Sequence, residues 1–392
     1  MGMDPITHLL TRGVANIYPS REALENVLRS GKKLRLYQGF DPTGTQLHIG
    51  HAVAIRKLRE FQDLGHHVIF LIGDGTGQAG DPSGKMKARG RFMSRDELRE
   101  NASDYIRQAG KIVRFSGKNP VEILHNSDWL NALKLVDILN IAQNFSVQQL
   151  IERDMYQVRM KAGESINLRE FLYPLLQGYD SVAMNVDLEL GGEDQTFNML
   201  AGRTLVRAMQ GREKFVMTVP LLTDASGNKI GKTEGNVIGL TDAPNDFYGK
   251  IMNLGDDAII PCFTLLTDTP EEDIKDMQEK MANGENPMTF KKKLAFELTK
   301  QFNSEGDAEK AQKEFVSVHQ HHHIETATAS VMAADGQSVL DMLTLTGFSK
   351  SESKRLIDGG AIRRKEKKLT HSDTVQKGDI IKIGKKKIIK IT

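Results

Sequence analysis

Short apolar runs alternate with stretches of helical spacing through the first half of the chain. Residues 34–37 and 67–72 are rich in Leu, Ile, Val and aromatic side chains, a composition suited to strands covered on both faces. Between them Ile49, Val53, Ala54, Leu58 and Phe61 recur at the period of a helix. Strand, helix and strand at this separation predict a βαβ unit and a doubly wound parallel sheet, an α/β architecture. A helix over residues 21–30 precedes the first strand. Residues 94–165 read as mainly helical, opening on the capping box Ser94-x-x-Glu97. Residues 188–190 and 216–222 supply two further strands. From Asp242 the strand pattern stops, and helices over 244–253, 256–266, 270–282, 288–303 and 305–319 follow one another through short turns. Residues 337–392 mix both periods: a helix to about Thr346 ended by Gly347, a second ended by Gly359-Gly360, then strands over 380–383 and 387–391 after the turn Lys377-Gly378-Asp379. Three parts are expected: a sheet domain over 1–240, a helical domain over 241–325 and a small α+β domain over 335–392.

Ligands of doubly wound sheets sit beyond the carboxyl ends of the strands, and glycine-rich segments of this chain fall there. Gly39-Phe40-Asp41-Pro42-Thr43-Gly44 is turn chemistry, and His48-Ile49-Gly50-His51 opens the next helix. Free N–H groups, two imidazoles and a glycine that admits close approach make this helix start an anion site, with phosphate the natural anion. The plainer alternative is two surface histidines on an amphipathic helix. Lys229-Ile230-Gly231-Lys232-Thr233 follows a turn over 223–228, and its glycine suits a loop that brings two ammonium groups onto a polyphosphate. Tyr173, Gln177 and Asp180 are spaced i, i+4, i+7, so a phenol, an amide and a carboxylate occupy one helix face. Such groups, when buried, bond either one another or a polar ligand. Another glycine turn, Gly191-Gly192-Glu193-Asp194-Gln195, follows the strand at 188–190. The loop over 73–85 holds two decoys. Gly75-x-Gly77-x-x-Gly80 meets the dinucleotide spacing, but Pro82 and Gly84 interrupt the helix it needs; Gly84-Lys85 lacks the rest of a phosphate loop, with Ala79 and Met86 at the critical positions.

Charge adds a second theme. The chain is +2 overall, yet residues 351–392 hold thirteen Lys/Arg against five Asp/Glu, leaving −6 on residues 1–350. The tail is therefore suited to a polyanion while the body does something else. Cys262 is the single cysteine, which excludes an intrachain disulfide and points to a reducing compartment. Met1-Gly2-Met3-Asp4-Pro5 does not open a secretory signal, and the apolar run at 68–72 is too short to cross a bilayer. A soluble cytoplasmic protein is expected, with no membrane partner.

His48-Ile49-Gly50-His51 and Lys229-Ile230-Gly231-Lys232-Thr233 resemble the two signature motifs of the class I aminoacyl-tRNA synthetases, the second with Ile-Gly where the family has Met-Ser and with Thr at its end. Over almost the whole chain the resemblance is to the bacterial tyrosyl-tRNA synthetases. It implies a Rossmann-like catalytic domain with a dimer-forming helical insertion around 126–160, a helical anticodon-side domain, and an αL-type RNA-binding domain at the end. It implies a homodimer that activates L-tyrosine with ATP and charges tRNA(Tyr). Mg²⁺ would travel with the nucleotide, without a tightly bound cofactor or a metal site in the protein. Carried over residue by residue, Thr43, His48, His51, Lys85, Arg89, Lys229, Lys232 and Thr233 are expected to stabilise the transferring phosphate and the pyrophosphate. Tyr37, Asp81, Tyr173, Gln177, Asp180 and Gln195 are expected around tyrosine, Tyr37 and Asp180 at its hydroxyl and Asp81, Tyr173 and Gln177 at its ammonium. Gly39, Asp41, His48, Gly50, His51, Gly192, Asp194 and Lys232 are expected at ATP, with Asp194 on the ribose. Lys350, Lys354, Arg355, Arg363 and Arg364 are expected on one basic face toward structured RNA. Glu189 stands where the family often has Gln and is left out of the set.

Two rival readings differ in what they require. A tryptophanyl-tRNA synthetase has the same fold, but an indole has no phenolic hydroxyl for Tyr37 and Asp180 to hold, and those enzymes end without the αL-type tail. A catalytically silent RNA-binding protein on this scaffold has no use for paired histidines and both loop lysines. His319-Gln320-His321-His322-His323 reads as a solvated linker rather than a metal site.

Overall fold

The computed structural model describes residues 4–44, 46–81, 93–224, 226–227, 229–230, 232–233, 236–319, 329–331, 336–364, 367–384 and 387–392, the side chains of 232, 233, 236, 318, 319, 329, 330 and 387 excepted. They pack as two compact units, Met1–Ala308 and Glu309–Thr392.

The first unit is built on a six-stranded sheet. Its strands are β1 (Asn16–Tyr18), β2 (Arg35–Phe40), β3 (His67–Ile72), β4 (Glu122–His125), β5 (Leu188–Gly192) and β6 (Phe215–Val219), in the order β1-β6-β5-β2-β3-β4. Strands β2 to β6 run parallel, and β1 joins the edge antiparallel to β6. The apolar runs at the sheet centre explain that centre: Leu36, Tyr37, Val68, Ile69, Phe70, Leu71 and Ile72 are buried. From β2 the chain moves outward through β3 and β4 on one side, then returns to place β5 and β6 on the other. At such a reversal a crevice opens at the carboxyl ends of the strands.

Helix Ile49–Asp63 covers the sheet with Ile49, Ala52, Val53, Ile55, Leu58 and Phe61. Helix Arg95–Ala109 begins on the expected capping box, with Ser94 N–H donating to Glu97. Among the described residues the loop after β3 forms a four-residue helix, Thr76–Ala79, that stops at Gly80, so the glycine spacing there opens no long dinucleotide-type helix. Helices Leu168–Ala183 and Thr196–Gln210 pack against each other beside β5 and β6. The later helices, among them Pro244–Met252, Ile259–Leu266 and Pro287–Phe302, are tied to the segments that follow helices Pro5–Thr11 and Arg95–Ala109 through cations. Arg12 donates to the carbonyls of Phe263, Thr264, Thr267 and Thr269, and Lys111 to those of Leu240 and Phe302. The last carbonyls of a helix lack intrahelical partners and form the negative end of its dipole, so cations suit them.

In the second unit, helices Val339–Leu345 and Lys350–Asp358 lie with a five-stranded sheet around Val339, Met342, Leu343, Ile357, Ile362, Ile381, Ile389 and Ile391. Its last strand, Lys387–Ile391, pairs in parallel with Ala329–Val331.

Candidate active site

A cavity of about 580 Å³ opens at the reversal point. Its walls are the ends of β2, β3, β5 and β6, the start of helix Ile49–Asp63, and one face of helix Leu168–Ala183. Tyr37, Asp81, Tyr173, Gln177, Asp180 and Gln195 line it, and so do Gly39, Asp41, Thr43, His48, Gly50, His51, Gly192, Asp194 and Lys229. Lys85 and Arg89 lie outside the described residues, as do the side chains of Lys232 and Thr233. The backbone of Lys232–Thr233 forms a short strand pairing with Asn236–Val237.

The two histidines build the helix start itself. His48 is the N-cap, its Nδ1 accepting from Gly50 N–H at 3.1 Å, and His51 Nδ1 accepts from His48 N–H at 3.1 Å. A neutral imidazole that accepts at Nδ1 carries its proton at Nε2. Both rings, 3.9 Å apart between centroids, therefore bear Nε2–H donors beside the positive end of the helix dipole. Gly50 is needed here, because a Cβ would sit 2.9 Å from the His48 ring. Lys229 donates to Asp194 at 2.7 Å, both side chains remaining partly exposed.

The opposite end of the cavity is deeper and more polar than its burial would suggest. Asp180 is fully buried, and both its oxygens take protons, from Trp129 Nε1 at 2.8 Å and Asn126 Nδ2 at 3.0 Å. Burial pushes its carboxyl well above the usual range, against the pull of those two donors. Burial, reinforced by the negative charge of Glu189, likewise pushes the Tyr37 hydroxyl well above its ordinary value, so it keeps its proton. Tyr173 is raised by burial and then by Asp41, to which it donates at 2.8 Å. Thr76 holds the other Asp41 oxygen at 2.7 Å. With its proton committed to Asp41, the Tyr173 oxygen has lone pairs left for a cation. Gln195 steadies Asp81 at 3.0 Å. Gln177 donates to Glu189 at 3.1 Å, while its carbonyl oxygen is buried and has no partner among the described residues.

Several groups here escaped the sequence reading. Asn126 and Trp129 reach Asp180 from a segment whose pattern shows only helix and whose resemblance implies a dimer-forming insertion. Ser181, hydrogen-bonded to Tyr37 at 3.0 Å, is the i+8 member of the Tyr173 face and was legible by the same spacing. Glu189, which lines the cavity, forms a buried ion pair with Lys214.

In the tail, Lys350, Lys354, Arg355 and Arg363 are exposed. Arg364 donates instead to Asp379 and to the Thr374 carbonyl. Successive strand residues leave on opposite faces, so Arg363 and Arg364 do not lie on one face. The histidine run beyond His319 lies outside the described residues.

Residues 29–320 match the family model of the class I tRNA synthetases (W and Y), and the chain belongs to that family. Its relatives include the tyrosine–tRNA ligase of Dehalococcoides mccartyi (strain CBDB1), 40% identical over 99% of this chain and 98% of the relative. The tyrosine–tRNA ligase of Thermotoga maritima is 39% identical over 98% of this chain and 96% of its own. Among solved structures, a C-terminally truncated mitochondrial tyrosyl-tRNA synthetase of Aspergillus nidulans has the same fold, with a TM-score of 0.66 and 22% identity over 81% of this chain and 94% of that one. So has the tyrosyl-tRNA synthetase of Archaeoglobus fulgidus complexed with L-tyrosine, with a TM-score of 0.62 and 19% identity over 79% and 100%.

Proposed function

We infer that this protein is a tyrosine–tRNA ligase, which activates L-tyrosine with ATP to tyrosyl-adenylate and pyrophosphate and then transfers tyrosine to the 3′ end of tRNA(Tyr). The observation that carries the amino-acid assignment is the helix face of Tyr173, Gln177 and Asp180. It ends in a carboxylate whose charge acts on the Tyr37 hydroxyl, and it holds a buried carbonyl oxygen on Gln177 that has no partner among the described residues. An unpaired buried acceptor costs about 1–3 kcal/mol, and an ammonium would satisfy it. The phenol of tyrosine donates to Asp180 and accepts from Tyr37; an indole N–H only donates, which disfavours tryptophan. Asp81 and Tyr173 complete the ammonium site, and Gln195 positions Asp81.

In the first step a carboxylate oxygen of tyrosine bonds to the α-phosphorus of ATP while the bond to the bridging oxygen toward the β-phosphate breaks. The nucleophile arrives ionised, so no general base is required. What remains is to stabilise charge on the five-coordinate phosphate and the departing pyrophosphate. The Nε2–H groups of His48 and His51, the helix N–H groups, Thr43 and Lys229 are suited to that, with Lys85, Arg89, Lys232 and Thr233 assigned to the same task. Gly39, Asp41, Gly50 and Gly192 would hold the nucleotide and Asp194 its ribose. Among the described residues no group of three His, Cys, Asp or Glu side chains could hold a metal ion, and Mg²⁺ is assigned to the ATP phosphates.

Residues 1–240 are assigned to catalysis, 241–325 to the anticodon side and 335–392 to RNA binding through Lys350, Lys354, Arg355 and Arg363. A homodimer is proposed through the segment around 126–160, where Leu135, Val136, Leu139, Val147 and Val158 are exposed together with Leu168. Among the described residues no helix is long and apolar enough to cross a membrane, and the assigned reaction belongs in the cytoplasm. ATP–pyrophosphate exchange tests the whole reading: it should require tyrosine, and exchange driven by tryptophan, or by neither amino acid, would overturn it.

A further inference from the structure

At the cavity floor Glu189, which lines the cavity, forms an ion pair with Lys214, their side chains 2% and 0% exposed. Burying two charges in this way is expensive unless their remaining valences are met, and here they are. The Lys214 ammonium has three protons and three acceptors: Glu189, Ser181 Oγ at 2.7 Å and the Met199 carbonyl at 3.2 Å. Gln177 donates to the other Glu189 oxygen. Burial lowers the pKa of the ammonium, and contact with Glu189 acts in the opposite direction. The chamber that holds the pair is reserved by Gly202, where a Cβ would fall 2.5 Å from Lys214 Nζ and 2.8 Å from Ser181 Oγ. The ammonium also lies 5.8 Å from the centroid of the Tyr37 ring.

Ser181 is the link from this pair to the cavity. Its Oγ takes a proton from Lys214 and lies 3.0 Å from the Tyr37 hydroxyl and 3.3 Å from Glu189. A serine hydroxyl has one proton and two lone pairs. With one lone pair filled by Lys214, two arrangements remain. Either Tyr37 donates to Ser181 and Ser181 to Glu189, or Ser181 donates to Tyr37 and the Tyr37 proton faces the cavity. Only the second lets a phenol satisfy everything, because a phenol has a single proton and Asp180 already claims it. An ammonium donates only and a carboxylate accepts only, so a chain from Lys214 through Ser181, Tyr37 and the ligand to Asp180 has one direction throughout. A hydroxyl that accepts from a cation is polarised into a better donor and a poorer acceptor, so Lys214 favours the arrangement in which Ser181 donates to Tyr37; without Lys214, Ser181 would accept more readily and would draw in the Tyr37 proton. Tyr37 and Asp180 would then both be acceptors facing one phenolic proton.

We propose that Lys214 is a positioning residue for substrate choice: acting through Ser181, it turns the Tyr37 hydroxyl proton toward the cavity, so that the floor selects a group that both accepts and donates. The proposal rests on the reading of the ligand as tyrosine. Two variants of the full-length protein test it. Ser181→Ala cuts the chain with little change in volume. Lys214→Met combined with Glu189→Gln removes both charges together, so that neither is left buried alone. In ATP–pyrophosphate exchange, kcat/KM for tyrosine should fall about tenfold in each, mainly through KM, as loss of one ordinary hydrogen bond implies. Phenylalanine, which does not engage the chain, should change by less than about twofold, and KM for ATP should hold. An unchanged tyrosine-to-phenylalanine ratio in either folded variant, or an equal loss for both amino acids, overturns the proposal. Should the double variant not fold, Ser181→Ala alone decides by the same ratio. Failure of the parent enzyme to use tyrosine would instead overturn the functional reading.

Discussion

Asp180→Asn is the replacement from which the structure extracts the most. Both carboxylate oxygens already take a proton, one from Trp129 Nε1 and one from Asn126 Nδ2. An amide in the same place has one acceptor and one donor group, so one of those two partners must face an N–H. The buried donor left unmatched should lower folding stability by about 1–3 kcal/mol, the cost of an unsatisfied polar group. The ligand phenol meanwhile loses a charged acceptor, a bond of about 1.5–3 kcal/mol. That corresponds to roughly a 10- to 150-fold fall in kcat/KM for tyrosine. Phenylalanine makes no such bond and should lose less than about threefold. The assay is exchange of pyrophosphate into ATP driven by each amino acid in turn, with thermal unfolding followed in parallel. A variant that is folded yet loses both amino acids equally would show Asp180 to be a structural group only. One that keeps full preference for tyrosine would place the phenol elsewhere.

Lys229 donates to Asp194; Lys229→Ala should lower kcat for activation by about 10- to 100-fold while KM for ATP holds or falls, because the exposed ion pair is worth little and its loss frees Asp194. A parallel rise in KM would mean that the lysine binds the ground state. Deleting residues 335–392 should leave tyrosine-dependent exchange intact and abolish charging of tRNA; retained charging at physiological salt would remove the RNA role assigned to Lys350, Lys354, Arg355 and Arg363. His66, whose Nδ1 accepts from Leu34 N–H, is lowered by burial from 6.5 to about 4. The unfolded chain therefore binds the proton first, and stability present above pH 6.5 should be lost as pH falls toward 4, by about 3 kcal/mol in all. Denaturant unfolding across that range should lose this slope in His66→Asn, and an unaltered slope would assign it to other groups.

Much of this molecule is legible without coordinates, for reasons that differ from part to part. The runs at β2 and β3 announce a parallel sheet because strands covered on both faces must be apolar throughout. β1 and β4 escape because they are edge strands of three and four residues, partly exposed and too short to show any period. Tyr173, Gln177 and Asp180 stand out because one helix face should not carry so many polar groups toward a core. Lys214 does not stand out, since lysines almost always lie in solvent, and only the register of β5 beside β6 brings it next to Glu189. The resemblance to an αL-type domain places Arg363 and Arg364 on one basic face, whereas neighbours in a strand leave on opposite faces.

The joint that ties in the later helices has a consequence for experiments in salt. Arg12 and Lys111 are held there by backbone carbonyls, and the partly exposed pair Arg56–Asp268 is the part of the seam that salt can screen. Dissolved ions screen a pair of exposed opposite charges, but they compete poorly for a cation already seated on the oxygens of a helix terminus. Raising ionic strength should therefore strip a polyanion from the tail long before it loosens this seam. An electrolyte titration becomes a way to separate the two chemical steps, silencing transfer to RNA while the adenylate-forming body remains assembled.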